Sequence, residues 1–197
     1  MIITRRESDV VTAWLLLVYK LPAEPTRYRV SVWRTLKAAG AIYLQNGVAA
    51  LPATATTERV MRGIVHEVGT MEGTAHLIQG AVLGDEAPML AAFAEARDAE
   101  YREVLGRCRD VHAELLRERA DANFTFAELE ENEEDLVKLD AWLSKIHARD
   151  FFGAPLRADA VRAVGACRED LDAFATSVYA AVDHGSAARE KSDGESR

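Results

Sequence analysis

The chain has 197 residues, of which 49 % are hydrophobic, and this is enough to fill the core of one large domain or two small ones. Its formal net charge of −8 is unevenly distributed. Residues 1–85 contain 9 Lys and Arg against 7 Asp and Glu, whereas residues 86–185 contain 12 against 22. An acidic surface repels phosphate, so any contact with nucleic acid is expected from the first part of the chain.

The cysteines and the apolar segments indicate the cellular compartment of the protein. Cys108 and Cys167 are too few for a disulfide framework and have no CxxC spacing, and both fall on apolar faces of predicted helices. We expect them to be buried and reduced. The apolar run AWLLLVY has seven residues, far short of the roughly 20 of a membrane-spanning helix, and no small-residue cleavage site follows it. These features predict a cytoplasmic protein without a membrane partner.

The first predicted elements are a strand and a helix. The stretch WLLLVYKLP, residues 14–22, is a short apolar run with a proline stop, which favours a central strand. The helix that follows has Pro25 where a first helical residue would stand and Gly40 where a C-terminal cap would stand. The strand therefore ends on Lys20, close in sequence to the beginning of a helix.

A hairpin, a second helix and a fourth strand complete the first region. Asn46-Gly47 predicts a type I′ turn, which needs positive φ at both residues, between strands at 41–45 and 48–51. The order is then β-α-β-β-α-β, as in ferredoxin-like domains, with an antiparallel sheet and both helices on one face. We expect later segments to cover part of the other face.

From Asp85 the pattern changes to three long helices with apolar residues at helical spacing. The third of them has an apolar stripe that runs from Val161 through Cys167 to Val178. Short loops between long helices predict antiparallel neighbours. The predicted organisation is a ferredoxin-like domain in residues 1–85, a helical bundle in residues 86–185, and a disordered polar tail in residues 186–197.

Motifs of catalysis and of metal binding are missing from the sequence. It has no GxxxxGK[ST], GxGxxG or GxSxG, and its five histidines show no HxxxH or ExxH spacing. Glu131 and Glu134 form an ExxE step inside an acidic helix, but a di-iron bundle also needs an ExxH partner. We expect a solvated helix face there, no catalytic residue, no metal and no cofactor.

Cations of the first domain are the candidate binding residues for an anion or for DNA. Arg27, Arg34 and Lys37 fall within roughly an 80° arc of the first helix. Arg29 falls toward the apolar face, where it either extends its stem along that face with its charge at the sheet edge or meets Lys20 at the end of the first strand. The second arrangement would form a small anion site beside a helix N-terminus. The alternative for Lys20 is that it points into water or pairs with Glu24.

Three consecutive segments carry a resemblance to a known family. They are W-x-L-L-x-Y-x-L-P from residue 14, R-V-x-V-W-R-x-L-K-x-x-G-A from residue 29, and Y-L-Q-x-x-V-x-x-L-P from residue 43; AEYREVL and HARDFF follow in the helical region. Together they resemble the N-terminal domain of ChrB, the chromate-resistance regulatory protein. The resemblance implies a transcriptional regulator of a chromate efflux operon.

A more distant resemblance is to the C-terminal part of the repressor PaaX and to the small CRISPR-associated endonuclease with a ferredoxin-like fold. The first strand of that nuclease ends in an aspartate thought to bind metal, and Lys20 takes this position here. A cation does not hold Mg²⁺, so the resemblance does not extend to the nuclease activity.

The sequence thus predicts a non-catalytic regulator of the ChrB type. We expect a homodimer whose basic first domain contacts the DNA backbone, with little discrimination between sequences. The alternative is a protein-interaction or sensing module whose basic face binds an acidic protein or a small oxyanion such as chromate or sulfate. An enzyme is the third and least favoured possibility.

Overall fold

The computed structural model describes the backbone of residues 13–194 and the side chains of residues 13–183. Its elements follow in chain order: β1 (Trp14–Lys20), α1 (Thr26–Ala38), β2 (Ile42–Gln45), β3 (Val48–Pro52), α2 (Ala55–Thr70), β4 (Thr74–Gly80), α3 (Ala87–Ala120), α4 (Phe126–His147) and α5 (Arg157–Gly194). This order confirms the predicted α+β class, with a ferredoxin-like βαββαβ region before three long helices.

The chain divides into two compact units. Unit 1 contains the described residues up to Ala96 together with Arg149–Phe152, and unit 2 contains Arg97–Ala148 and the described residues from Gly153 onward. The division falls inside α3. The domain limits given above stay predictions, and residues 1–12 and 195–197 lie outside the described residues. The backbone of α5 continues to Gly194, into the segment for which the sequence predicts disorder.

Unit 1 is built on a four-stranded antiparallel sheet in the order β2-β3-β1-β4. Side chains alternate along β1, and Leu15 and Leu17 belong to the same buried core as Val32 of α1 and Ile64 of α2. Trp14 has the opposite orientation, and its ring stacks on Phe93 of α3 at 5.4 Å between centroids. The two α-helices thus cover one face, and the beginning of α3 covers the Trp14 end of the other.

Helix α1 ends as the sequence predicts. Gly40 has a φ of +82°, its N–H donates to the carbonyl of Lys37, and the N–H of Ala41 donates to the carbonyl of Leu36 at 3.0 Å. This is a Schellman motif, in which glycine relieves the strain of the left-handed conformation. At the other end of α1, Pro25 is the N-cap residue. The sequence predicted Pro25 as the first helical residue, so the helix begins one position later than expected.

The hairpin between β2 and β3 forms at Asn46-Gly47, but the predicted type I′ geometry is wrong. Only Gly47 has positive φ, at +75°. The pairing shifts between Tyr43 and Gln45, so a bulge accommodates the turn. Gly47 also approaches β1, since its carbonyl accepts from the Tyr19 N–H at 2.8 Å. The hydrogen bond to Tyr19 of β1 determines the conformation of this turn. Turn preferences that are taken from the local sequence do not account for a contact with another strand.

Unit 2 is an up-down-up arrangement in which successive helices are antiparallel. Tyr101 of α3 contacts His147 at the end of α4, and Phe126 at the start of α4 contacts Tyr179 of α5. The apolar stripes meet in one core, whose largest members are Tyr101, Phe174, Leu115 and Ile146. Val161 is 45 % exposed, contrary to the predicted stripe, because Ala160 is the residue that faces the core.

Both cysteines are buried in unit 2 and form no disulfide, as predicted. The Cys167 thiol donates to the backbone carbonyl of Cys108 at 3.5 Å. Burial raises the pKa of the Cys108 thiol and raises that of Cys167 from 9.0 to about 12. The thiols are therefore protonated at neutral pH, and in this form they resist oxidation and metal binding.

Candidate functional site

The cations of α1 form the most distinctive charged surface of unit 1. Arg27, Arg29, Arg34 and Lys37 are all exposed, and the helix contains no acidic residue. Within the described part of the chain, none of the four forms an ion pair with a carboxylate. By contrast, Arg62 of α2 is bound to Glu58 at 2.7 Å. The charge of α1 is thus not neutralised by the side chains described around it.

Two of these cations lie over aromatic rings. The guanidinium carbon of Arg27 lies 5.5 Å from the centroid of the Tyr28 ring, and the Lys37 ammonium lies 5.2 Å from that of Trp33. Cation–π contacts of exposed groups contribute about 0.5–1 kcal/mol and leave the cation accessible to solvent. They orient the two side chains without cancelling their charge.

The N-terminus of α1 already binds a carboxylate of the protein. The Thr26 N–H donates to the Glu24 carboxylate at 3.2 Å, and the Thr26 hydroxyl donates to the same oxygen at 3.5 Å. The Arg29 guanidinium donates to the Thr26 hydroxyl oxygen at 3.5 Å. An anion is favoured at a helix N-terminus, and here Glu24 takes that position.

Lys20 lies apart from Arg29. Lys20 is the last residue of β1, pairs with Thr74 of β4, and is exposed. Consecutive strand residues point to opposite faces, so Lys20 lies on the face opposite to its neighbour Tyr19. It is Tyr19 that lines a cavity together with Arg29. The structure therefore does not bring the two cations together at the mouth of the strand.

That cavity lies between α1 and the sheet and has a volume of about 730 Å³. We call it the aromatic groove; its lining residues are Tyr19, Leu21, Arg29, Val30, Trp33, Tyr43, Asn46 and Gly47. Trp33 is 45 % exposed and Tyr43 is 39 % exposed. The groove thus combines exposed rings, one cation and one amide, and none of these lining residues carries a carboxylate.

The two tyrosines of the aromatic groove form a hydroxyl pair. Their oxygens lie 3.1 Å apart, and either can be the donor. Burial, with a smaller contribution from the hydrogen bond to Tyr19, raises the pKa of Tyr43 well above its ordinary value of 10.0. Tyr43 is therefore a neutral hydrogen-bonding group across the physiological range and not a base.

A cavity between α3 and α4 of unit 2 differs from the aromatic groove because its lining includes carboxylates, among them Glu103, Asp110 and Asp135. In the described residues, no group of three or more His, Cys, Asp and Glu side chains is placed to hold a metal ion. The predicted absence of metal and cofactor nevertheless stays a prediction. None of the helices in residues 13–194 is long and apolar enough to cross a membrane.

Sequence reasoning identified the cations but missed the aromatic groove. Trp33 is visible in the sequence as a flank of the apolar face of α1, and Tyr19 alternates with Lys20. Tyr43 reaches the same place only because β2 pairs with β3 and β3 pairs with β1. Strand order depends on contacts between residues far apart in the sequence. Trp33, at the flank of the apolar face of α1, was therefore the one sign of the aromatic groove that the sequence contained.

Comparison with known proteins identifies the family. The model of a family described as "Protein ChrB, N-terminal" matches residues 29–185. A similar curated protein is Protein ChrB of Cupriavidus metallidurans, with 28 % identity over 126 residues, which cover 64 % of this chain and 36 % of that protein. The matched part is thus about a third of the relative's length. No solved structure matches. The chain belongs to the ChrB N-terminal family.

Proposed function

We propose that this chain, as a member of the ChrB N-terminal family, is a non-catalytic regulatory protein associated with chromate resistance and contacts the DNA backbone through α1. The observation that carries the proposal is the set of four cations on α1, which have no acidic residue on their own helix and no ion pair within the described residues. Such a surface attracts phosphate, since neutralising phosphates releases bound counterions.

The arrangement of the cations favours contact with a backbone over contact with base edges. Arg27 and Arg34 lie almost above one another on α1, and an arginine fork suits phosphate oxygens. Phosphate contacts fix the position of a protein on DNA but carry no sequence information. We therefore expect weak binding that differs little between promoter and random DNA.

A homodimer would increase the affinity of such contacts, because the second copy binds at a high effective concentration. The part of the sheet face that α3 leaves exposed supports this part of the proposal. Val18 is exposed there on β1, and Ile78 is exposed on the edge strand β4. Light scattering of the purified chain measures its mass directly, and a monomer at working concentrations would contradict the dimer.

The second candidate is an interaction module without DNA binding. Val30 and Trp33 are exposed among the cations of α1, a composition that also suits an acidic protein surface. A small oxyanion is less favoured, because Glu24 occupies the N-terminus of α1 and Lys20 lies elsewhere. Salt separates the candidates, since the logarithm of the affinity for DNA falls steeply and linearly with the logarithm of salt concentration.

The test compares two variants that lose the same charge. One replaces Arg27, Arg34 and Lys37 of α1 by alanine, and the other replaces three exposed arginines of α3, which are Arg102, Arg107 and Arg109. Fluorescence anisotropy with labelled promoter and random duplexes gives the affinity over a range of salt.

We expect the α1 variant to reduce the slope of log affinity against log salt by about 2 to 3, because each phosphate that is no longer neutralised reduces this slope by about 0.9. The α3 variant should keep the wild-type slope. Equal effects of the two variants would show that only net charge matters, and the proposal would then be wrong.

A further inference from the structure

We propose that the aromatic groove binds an unpaired base of a single-stranded nucleic acid whose phosphates contact the cations of α1. This inference rests on the proposed function, because it assigns a second contact to the same nucleic acid. It adds a preference for single strands, which the cations of α1 alone do not provide.

The rings of the aromatic groove provide the stacking surface. Trp33 and Tyr43 are large rings that remain substantially exposed, and both line the same cavity. Every base has a flat π-face, so an exposed aromatic ring binds unpaired bases with little regard to sequence. A paired base is already stacked inside its duplex and does not reach the ring. The groove thus distinguishes strands by whether their bases are free.

Polar groups at the edge of the groove suit the edge of a base. The Asn46 amide offers hydrogen-bond donors and an acceptor. The hydroxyls of Tyr19 and Tyr43, whose oxygens lie 3.1 Å apart, also offer a donor and acceptors. Because these groups are neutral, they form hydrogen bonds with a base without repelling the phosphate that follows it.

The charges around the groove suit the backbone of a strand. Arg29 lines the groove, and the Lys37 ammonium lies 5.2 Å from the centroid of the Trp33 ring. A base stacked on Trp33 therefore brings its phosphate within reach of a cation. The lining residues include no carboxylate, so an anionic chain is attracted along the groove. Charge complementarity selects a nucleic acid over a neutral apolar peptide.

The test measures the affinity of a labelled oligothymidylate of about 12 nucleotides and of a duplex of the same length. Trp33→Ala removes the stacking ring, and Trp33→Phe keeps a ring of smaller area. Since Trp33 is 45 % exposed, its truncation leaves the core intact, and thermal melting of each variant verifies this. The triple alanine variant of Arg27, Arg34 and Lys37 serves as the charge control.

We expect Trp33→Ala to weaken binding of the single strand about 5- to 100-fold, which is the range for removal of one base-stacking ring. Trp33→Phe should recover most of this affinity. Binding of the duplex should change less than about twofold, because phosphate contacts dominate it. The triple variant should weaken both ligands.

The remaining outcomes overturn the inference in distinguishable ways. If Trp33→Ala binds the single strand like the wild type while the triple variant fails to bind either ligand, the base-binding groove is wrong and the proposed DNA contact stands. If the triple variant also binds both ligands like the wild type, the proposed function fails as well. If thymidine monophosphate displaces the labelled strand at equal concentration, the ligand is a free nucleotide and the inference is wrong.

Discussion

Helices α1 and α4 are amphipathic in the same way but have opposite outer faces. Each buries an apolar stripe, with Val32 and Leu36 on α1 and five leucines and isoleucines on α4. Helix α1 carries four cations, three of them on its outer face, and contains no acidic residue. Helix α4 carries seven acidic residues, and its Lys138 is held by Asp135 at 2.8 Å and by Glu134 at 3.6 Å.

This difference shows that the inner apolar stripes determine folding, whereas the outer charged face of a helix determines what it can bind. The inner stripes provide the hydrophobic free energy of both units, and the residues of the outer faces can vary without changing this contribution. On α4 most charges have one sign and Lys138 among them is paired, as expected of a solvated scaffold. On α1 two of the cations lie over aromatic rings, and none of the four forms an ion pair within the described residues, which leaves them available for a phosphate. Substitutions inside the stripes should therefore change stability, and substitutions on the outer face of α1 should change binding.

The largest effect is expected from the core of unit 2. Phe174 is fully buried and packs against Phe124 with 5.9 Å between ring centroids. Phe174→Ala should reduce the free energy of unfolding by about 3–5 kcal/mol, because the burial of the ring is removed and a cavity remains. Urea denaturation followed by circular dichroism measures this change.

Phe126→Ala is the matched control, because it removes the same atoms from a ring that is 49 % exposed. It should cost only about 1 kcal/mol, mainly through its edge contact with Tyr179. Equal losses of stability for Phe174 and Phe126 would contradict the assignment of the inner stripe.

The next largest effect is expected at the hairpin of unit 1. A Cβ atom on Gly47 would lie 2.5 Å from the Tyr19 carbonyl oxygen, and the φ of +75° is strained for any branched side chain. Gly47→Val should reduce the free energy of unfolding by about 2–4 kcal/mol. At Gly84, by contrast, a Cβ would have no neighbour within 4 Å and φ is outside the left-handed region. Gly84→Val should thus be nearly neutral, and equal melting temperatures for the two variants would contradict the close approach at Gly47.

Periodicity in the sequence was sufficient for most of the fold. The order of elements, the cap at Gly40 and the buried leucines of α4 depend on contacts between residues a few positions apart, which are visible in a short window. The hairpin at Asn46-Gly47 was located for the same reason. Its geometry was wrong because the carbonyl of Gly47 binds the Tyr19 N–H on another strand.

The candidate site could be predicted only in part. The cations of α1 share one helix, so their arc follows from its turn. The predicted meeting of Lys20 with Arg29 depended on which way a strand residue points at the edge of a sheet. The pairing of β1 with both of its neighbours sets that direction, and it puts Tyr19 in the aromatic groove instead. Contacts across the sheet were therefore the information that the sequence alone did not supply.

An intermediate effect on the free energy of unfolding is expected from pH, through the buried thiols of unit 2. The unfolded chain ionises its thiols near pH 9.0, whereas Cys167 in the folded state stays protonated until about pH 12. The stability that this thiol contributes is therefore fully present below pH 9 and is lost as the pH rises toward 12. From about pH 8 to about pH 10, the wild type should lose on the order of 1–2 kcal/mol more than a variant with Cys108→Ala and Cys167→Ala. Parallel pH profiles of the two proteins would contradict the burial of the thiols.

The smallest effect compares one paired cation with one cation of α1. The Arg168 guanidinium donates through Nη2 and Nε to the two oxygens of Asp140, and its side chain is 52 % exposed. Exposed ion pairs contribute about 0.2–1 kcal/mol, so Arg168→Gln should destabilise by that amount, and by less at high salt. Arg34 of α1 forms no ion pair among the described residues, and Arg34→Gln should change stability by less than about 0.3 kcal/mol at any salt concentration. Urea titrations at low and high salt measure both variants. If Arg34→Gln costs as much as Arg168→Gln and its cost also falls with salt, Arg34 is engaged by an acidic residue of this chain, and its role as a phosphate contact would be wrong.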